Sequence, residues 1–162
     1  MPTLGAHGIA VPLPPGFEGR IFVRGASGDE RSHPVAQFAT FALPPETGDF
    51  GGGAVTSMGQ DDILVVLFEY GSESLGTSLF ARVGMPRQLS STDFPPYVLR
   101  RGLVGQSGTQ WFFTEAGRPF TLYVVLGSHA RRSQLVPLVN GLLARISVEP
   151  TLLTVGPVTP WN

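Results

Sequence analysis

The sequence contains no cysteine and no lysine; all eleven of its basic residues are arginine. Without cysteine there is no disulfide, no thiolate nucleophile, no zinc–thiolate site and no iron–sulfur cluster, and the redox compartment is not encoded. Charge is also scarce. Only 14% of residues are Asp, Glu, Lys or Arg, against roughly 25% in a typical soluble domain. The net charge of −1 gives no general attraction to nucleic acid or to an anionic membrane, so neither nucleic-acid binding nor membrane insertion is expected. Long apolar runs are missing too. The longest, Ile63–Phe68 and Tyr123–Leu126, fall far short of the roughly 20 residues that span a bilayer. The first residues, Met1-Pro2-Thr3-Leu4-Gly5-Ala6, carry no basic start and no apolar stretch of signal-peptide length, and a cytoplasmic location is the expectation.

Apolar residues make up 42% of the 162, which is enough for the core of one domain. With so little charge to cover the outside, some apolar surface is expected to be exposed or covered by a partner.

Period and punctuation divide the chain. Phe17–Arg24 and Val35–Leu43 read as strands, and Ala54–Met58 as a short one. Pro44–Gly53, with two prolines and three consecutive glycines, is a loop. Ile63–Tyr70 is continuous, β-branched and aromatic, and reads as the central strand. In Ser72–Arg82 the spacing of Leu75, Leu79 and Val83 suggests a short helix capped by Ser72. Tyr97–Leu103 suggests another strand. Thr109–Thr114 and Pro119–Leu126 flank Glu115-Ala116-Gly117-Arg118 and read as a β-hairpin. Ser133–Arg145 carries Leu135, Leu138, Val139, Leu142 and Leu143, continuing to Ile146, at helical spacing. Pro137 is tolerated if it lies in the first turn. A strand over Ile146–Glu149 follows. The resulting fold class is α+β: an antiparallel sheet packed by one or two helices, with a C-terminal helix followed by a short strand. Residues 1–149 form the domain, and 150–162 a Pro-rich apolar tail.

Two stretches carry a family likeness. Gly8-Ile9-Ala10-Val11-Pro12-Leu13-Pro14-Pro15-Gly16-Phe17-Glu18 is a strand, a Pro-rich turn and an aromatic. Leu138-Val139-Asn140-Gly141-Leu142-Leu143-Ala144-Arg145-Ile146 is a helix ending in a strand. In these two ends, about a fifth of the sequence, the chain resembles the Mog1/PsbP-like fold, with Phe17 where that fold commonly has Trp. The resemblance implies an antiparallel sheet flanked by helices and a non-enzymatic binding or assembly role. It carries over no site residue, because the family shares a shape and no common site.

The residues that bear chemistry form no familiar constellation. Gly51-Gly52-Gly53 lacks the spacing of a dinucleotide loop, which needs glycines between a strand and a helix. Asp29, Glu30 and His33 share a loop, but His7 and His129 lie in unrelated segments and a metal site needs convergent ligands. Asp61 and Asp62 point to opposite faces if they sit on a strand, and a turn suits them better. Ser128-His129 are neighbours in sequence, which does not make a nucleophile–base pair. No metal and no cofactor is expected. The candidates for binding are Arg100-Arg101 and Arg131-Arg132, the second pair placed to hold an anion at the start of the last helix; Glu69, which must face solvent, a cleft or a partner; and the aromatics Trp111 and Trp161. Trp111 and Phe113 share one face of their strand, and Phe112 takes the other.

The expected function is that of a non-enzymatic interaction or structural module that meets a protein partner or a second copy of itself. The alternatives are a small-molecule or lipid-binding domain with an apolar cleft lined by phenylalanines, and an enzyme built on Asp29, Glu30 and His33 or on Glu69.

Overall fold

The computed structural model describes residues 2–23, 33–44, 54–95 and 105–150. Among the described residues, eight strands and one α-helix form an α+β domain. The strands are β1 (Thr3–Ala6), β2 (Ile9–Pro12), β3 (Glu18–Val23), β4 (Pro34–Ala39), β5 (Ile63–Glu69), β6 (Ser107–Glu115), β7 (Arg118–Leu126) and β8 (Ser147–Val148), and α1 spans Arg132–Leu143. One sheet has five strands in the order β3-β4-β5-β7-β6, and a smaller one has three in the order β1-β2-β8. Every ladder is antiparallel.

β5 sits in the middle of the large sheet, as its unbroken apolar run demands. Its alternation sends Ile63, Val65 and Leu67 to one side and Leu64, Val66 and Phe68 to the other, and both sides are buried. The first side receives α1, the small sheet and the segment from Met85 to Phe94, which join one core with Phe38, Phe113 and Phe120. The other side is smaller and is covered by Ala54, Val55 and Met58. The small sheet approaches closely at Gly19, where a Cβ would lie 2.7 Å from the Phe38 ring and 3.1 Å from Leu4. Two-residue turns close both hairpins. His7 and Gly8 have φ of 54° and 78°, and Ala116 and Gly117 have 53° and 73°, the positive pair that matches strand twist.

The helix buries Leu135, Val136, Val139, Leu142 and Leu143, with Ile146 just beyond. At roughly 1.5–3 kcal/mol for each large side chain, this stripe is the main reason the helix forms. Leu138 is not in it and is 52% exposed; Val136 takes that place because the stripe centres one residue earlier. Pro137 lies in the second turn rather than the first, so the helix forgoes the bond that residue 137 would give Ser133. A 3₁₀ turn, His129–Arg131, precedes the helix.

Two sequence expectations need correction, and one strand goes unanticipated. Ala54–Met58 is not a strand, because Val55–Ser57 forms a 3₁₀ turn. The helix expected over Ser72–Arg82 is two 3₁₀ turns, Ser72–Ser74 and Ser78–Phe80. Gly76 between them has φ of 79°, which a helix cannot contain. The small sheet's first strand, β1, has too weak an alternation to be seen in the sequence. The strand expected over 97–103 lies outside the described residues, as does the apolar tail from residue 151 onward.

Candidate functional site

Glu69 ends β5 on the helix side of the sheet, beside Phe120 in the ladder. Arg118 starts β7 two residues before Phe120, on the same side. Its Nη2 donates to Glu69 Oε1 at 2.6 Å and its Nε to Oε2 at 3.0 Å. The same guanidinium donates to the carbonyls of His7 and Glu149, both at 3.0 Å, and lies 5.2 Å from the centre of the Phe120 ring. Both side chains are buried. Glu69 therefore does not face solvent, a cleft or a partner. The pair binds the central sheet to the β1–β2 turn and to the end of β8. With both carboxylate oxygens held by one guanidinium, Glu69 is a structural tie.

Arg131 and Arg132 lie at the start of α1 but are spent on the protein itself. Arg131 Nη1 donates to Asp61 Oδ1 at 2.8 Å in an exposed pair. Arg132 donates to the carbonyls of His129, Ser91 and Phe94 at 2.9, 3.0 and 3.3 Å, pinning the Met85–Phe94 segment beneath the helix. Asn140 does the same further along: its Oδ1 accepts from Leu89 N at 2.8 Å and its Nδ2 donates to Leu89 O at 2.9 Å. Arg87 closes the helix C-terminus by donating to Leu143 O and Ile146 O at 2.6 and 2.8 Å, and pairs with Glu115 at 3.0 Å.

The acids of the Asp61-Asp62 pair part company, as a turn requires. Asp62 accepts from Gly59 N at 2.7 Å and from Thr40 Oγ1 at 3.0 Å, while Asp61 meets Arg131. His33 lies just before β4, and Asp29 and Glu30 are outside the described residues, as are Arg100, Arg101 and Trp161. Among the described residues no group of His, Asp and Glu is placed to hold a metal ion. His129 Nδ1 is buried without a hydrogen-bond partner among the described residues, so the neighbouring Ser128 does not bond to it at that nitrogen. No helix among the described residues is long and apolar enough to cross a membrane.

Trp111 leads to a different place. After β5 the chain passes over the far side of the sheet, where Phe80 packs on Tyr70 and Phe112 with ring centres 5.2 and 5.8 Å away. It then turns around the outer edge of β6. Thr114 N donates to Arg82 O, and Gly84 N to Thr114 O, both at 2.8 Å. This short strap exposes its apolar side chains: Leu75 is 38% exposed, Leu79 55% and Val83 87%. The Arg82 guanidinium lies 5.0 Å from the centre of the Trp111 ring and has no ion-pair partner among the described residues. Trp111 is half-buried against the core, and its Nε1 is buried with no partner.

The strand's hydrogen-bond phase completes the picture. In an antiparallel ladder alternate residues direct both backbone groups toward one neighbour. Thr114 directs its groups outward to the strap, so Gln110 and Phe112, of the same parity, also direct theirs outward. Among the described residues no segment pairs with β6 there. Among the described residues, the outer rim of β6 thus combines a stretch of strand edge that no segment pairs with, an arginine stacked on a tryptophan without an ion-pair partner, and two exposed aliphatic side chains.

Of the binding candidates among the described residues, Trp111 alone lies on this rim, with its strand neighbour Phe112. Glu69, Arg131 and Arg132 sit elsewhere and do not converge with it. Leu79 and Val83 are missed because their spacing with Leu75 imitates a helix stripe, and Arg82 is missed with them; Gly76, inside the segment, was the signal against that reading. Comparison with family models, with curated proteins and with solved structures finds no match.

Proposed function

We propose that the chain is a non-enzymatic interaction module, working as a component of a larger assembly or as a homo-oligomer, and that the rim of β6 is its recognition surface. The observation that carries this reading is the exposure of Leu79 and Val83 beside the unpaired Arg82–Trp111 stack. Exposed aliphatic groups that stand together beside polar ones mark interaction surfaces. Tryptophan and arginine are the residue types that dominate binding energy at protein interfaces. The buried charges described above serve the fold, whereas on the rim exposed aliphatic side chains stand beside a cation without an ion-pair partner among the described residues. The resemblance of the chain ends to the Mog1/PsbP-like fold implies the same kind of role. On the helix side of the sheet, Phe38, Phe94, Phe113 and Phe120 are fully buried among Leu142 and Leu143. Those phenylalanines act as core, which favours recognition at the surface over an apolar cleft.

The test compares the wild-type chain with the Leu79→Asp/Val83→Asp variant as baits in extracts of the native host, alongside light scattering of each. Both positions are exposed, so the variant keeps its thermal stability. The expected result is loss of a captured protein or of a self-associated species. Identical captured proteins and identical masses for the two chains would sink the reading.

A further inference from the structure

The β6 edge that no described residue pairs with, the Arg82 cation and the aliphatic groups belong to one strand and the strap beside it, and together they specify what would fit. We propose that β6 takes a short extended peptide as an added outer strand, and that this peptide carries a carboxylate between two apolar residues. The proposal rests on the interaction reading above and names the partner's chemistry.

The backbone sets the binding mode. Gln110 and Phe112 offer outward N–H and C=O groups, which an extended chain meets without any rearrangement of the sheet. The strap limits its length. Arg82 and Gly84 already occupy the edge at Thr114, so an incoming strand ends there. Gln110 to Phe112 spans about 7 Å of edge, at roughly 3.3 Å per residue, and Gly108, of the same parity, extends it away from the strap.

The side chains set the sequence. An incoming residue opposite Trp111 points to the helix side of the sheet, where Arg82 lies over the indole. A carboxylate at that position supplies the anion that Arg82 lacks, in the planar geometry a guanidinium favours. Its neighbours on either side, opposite Gln110 and Phe112, point to the other side of the sheet. There the half-buried Phe112 packs on Phe80, and the strap's Leu79 is exposed nearby in sequence. Apolar residues suit those two places. A second copy of this chain paired through the same edge fits less well. Its own β6 runs Ser-Gly-Thr-Gln-Trp-Phe-Phe-Thr before Glu115, and that glutamate is already held by Arg87. Self-pairing would leave Arg82 without an anion.

The experiment is an NMR titration of the full chain, labelled with nitrogen-15, using the end-capped peptide Thr-Val-Glu-Val-Thr and its Gln counterpart. The expected result is that the amides of Gln110 and Phe112 shift, and that the Glu peptide binds about tenfold more tightly than the Gln peptide. Arg82→Gln should reduce the Glu peptide to the level of the Gln peptide and leave the Gln peptide unchanged. Equal affinities for the two peptides, an Arg82→Gln effect of the same size on both, shifts confined to other parts of the chain, or no binding at millimolar peptide would each overturn the proposal. These failures are separable from failure of the interaction reading. If the Leu79→Asp/Val83→Asp bait loses its captured protein while the peptides are not discriminated, only strand addition falls.

Discussion

Removing either partner of the buried Glu69–Arg118 pair should damage the fold more than removing both. Glu69→Leu leaves the Arg118 guanidinium buried, with only the His7 and Glu149 carbonyls as acceptors. Stranding a buried charge in this way costs about 3–5 kcal/mol. The pair is almost wholly shielded from water, with side-chain exposures of 5% and 10%, so solvent screening does not reduce that figure much. Arg118→Leu strands the carboxylate instead. It also takes the donor from two carbonyls, each bond being worth about 0.5–1.5 kcal/mol, so it should be the worse of the two. In the Glu69→Leu/Arg118→Leu double variant no charge is stranded, and only the loss at the two carbonyls remains, about 1–3 kcal/mol. The assay is urea unfolding followed by tryptophan fluorescence, with thermal melts alongside. For a chain of this size about 1 kcal/mol corresponds to roughly 2–4 °C, so Glu69→Leu should lower the melting temperature by about 6–20 °C. The double variant should melt above both single variants. If the two losses simply add, the pair does not act as one buried unit and the account of it is wrong.

Three further outcomes follow from particular contacts. Ala116 holds a left-handed backbone, φ 53°, in the β6–β7 turn, so Ala116→Asn should raise stability by about 0.5–1 kcal/mol in the same urea assay. Asn140→Ala leaves both Leu89 N and Leu89 O without the partner they have now and should cost about 1–3 kcal/mol; Asn140→Asp, which keeps the acceptor and loses the donor, should fall between the two. Burial raises the pKa of Tyr70 above its ordinary 10.0. The folded state therefore holds this proton more tightly than the unfolded state, and the stability it contributes is lost as pH rises past that ordinary value. Tyr70→Phe should leave stability near neutral pH little changed and move the alkaline unfolding transition to higher pH.

How much of this was readable before the structure depended on how local each cause was. The stripe from Leu135 to Ile146 and the turn around Ala116-Gly117 are local patterns, and both elements formed where those patterns put them. β5 was legible because a continuous β-branched run has few other uses. Contacts between distant residues left no such trace. Glu69 and Arg118 are 49 positions apart, and nothing near Glu69 shows that a guanidinium will meet it inside the core. The Leu75, Leu79 and Val83 spacing misled for a related reason. A period shows which side chains would share a helix face, but not whether that helix survives Gly76 or whether anything lies opposite to bury it. The proposed recognition surface was hidden by the same error, since side chains assigned to a core are not looked for at the surface.

The claim that matters most is that β6 has a free outer edge, and backbone amide exchange measures it directly. In the chain alone, the amides of Trp111 and Phe113, directed to β7, should be protected, while those of Gln110 and Phe112 exchange quickly. Adding the Glu-containing peptide should slow exchange at Gln110 and Phe112 and leave Trp111 and Phe113 as they were. Strong protection of Gln110 and Phe112 in the chain alone would mean that the edge is already occupied, and would contradict the account.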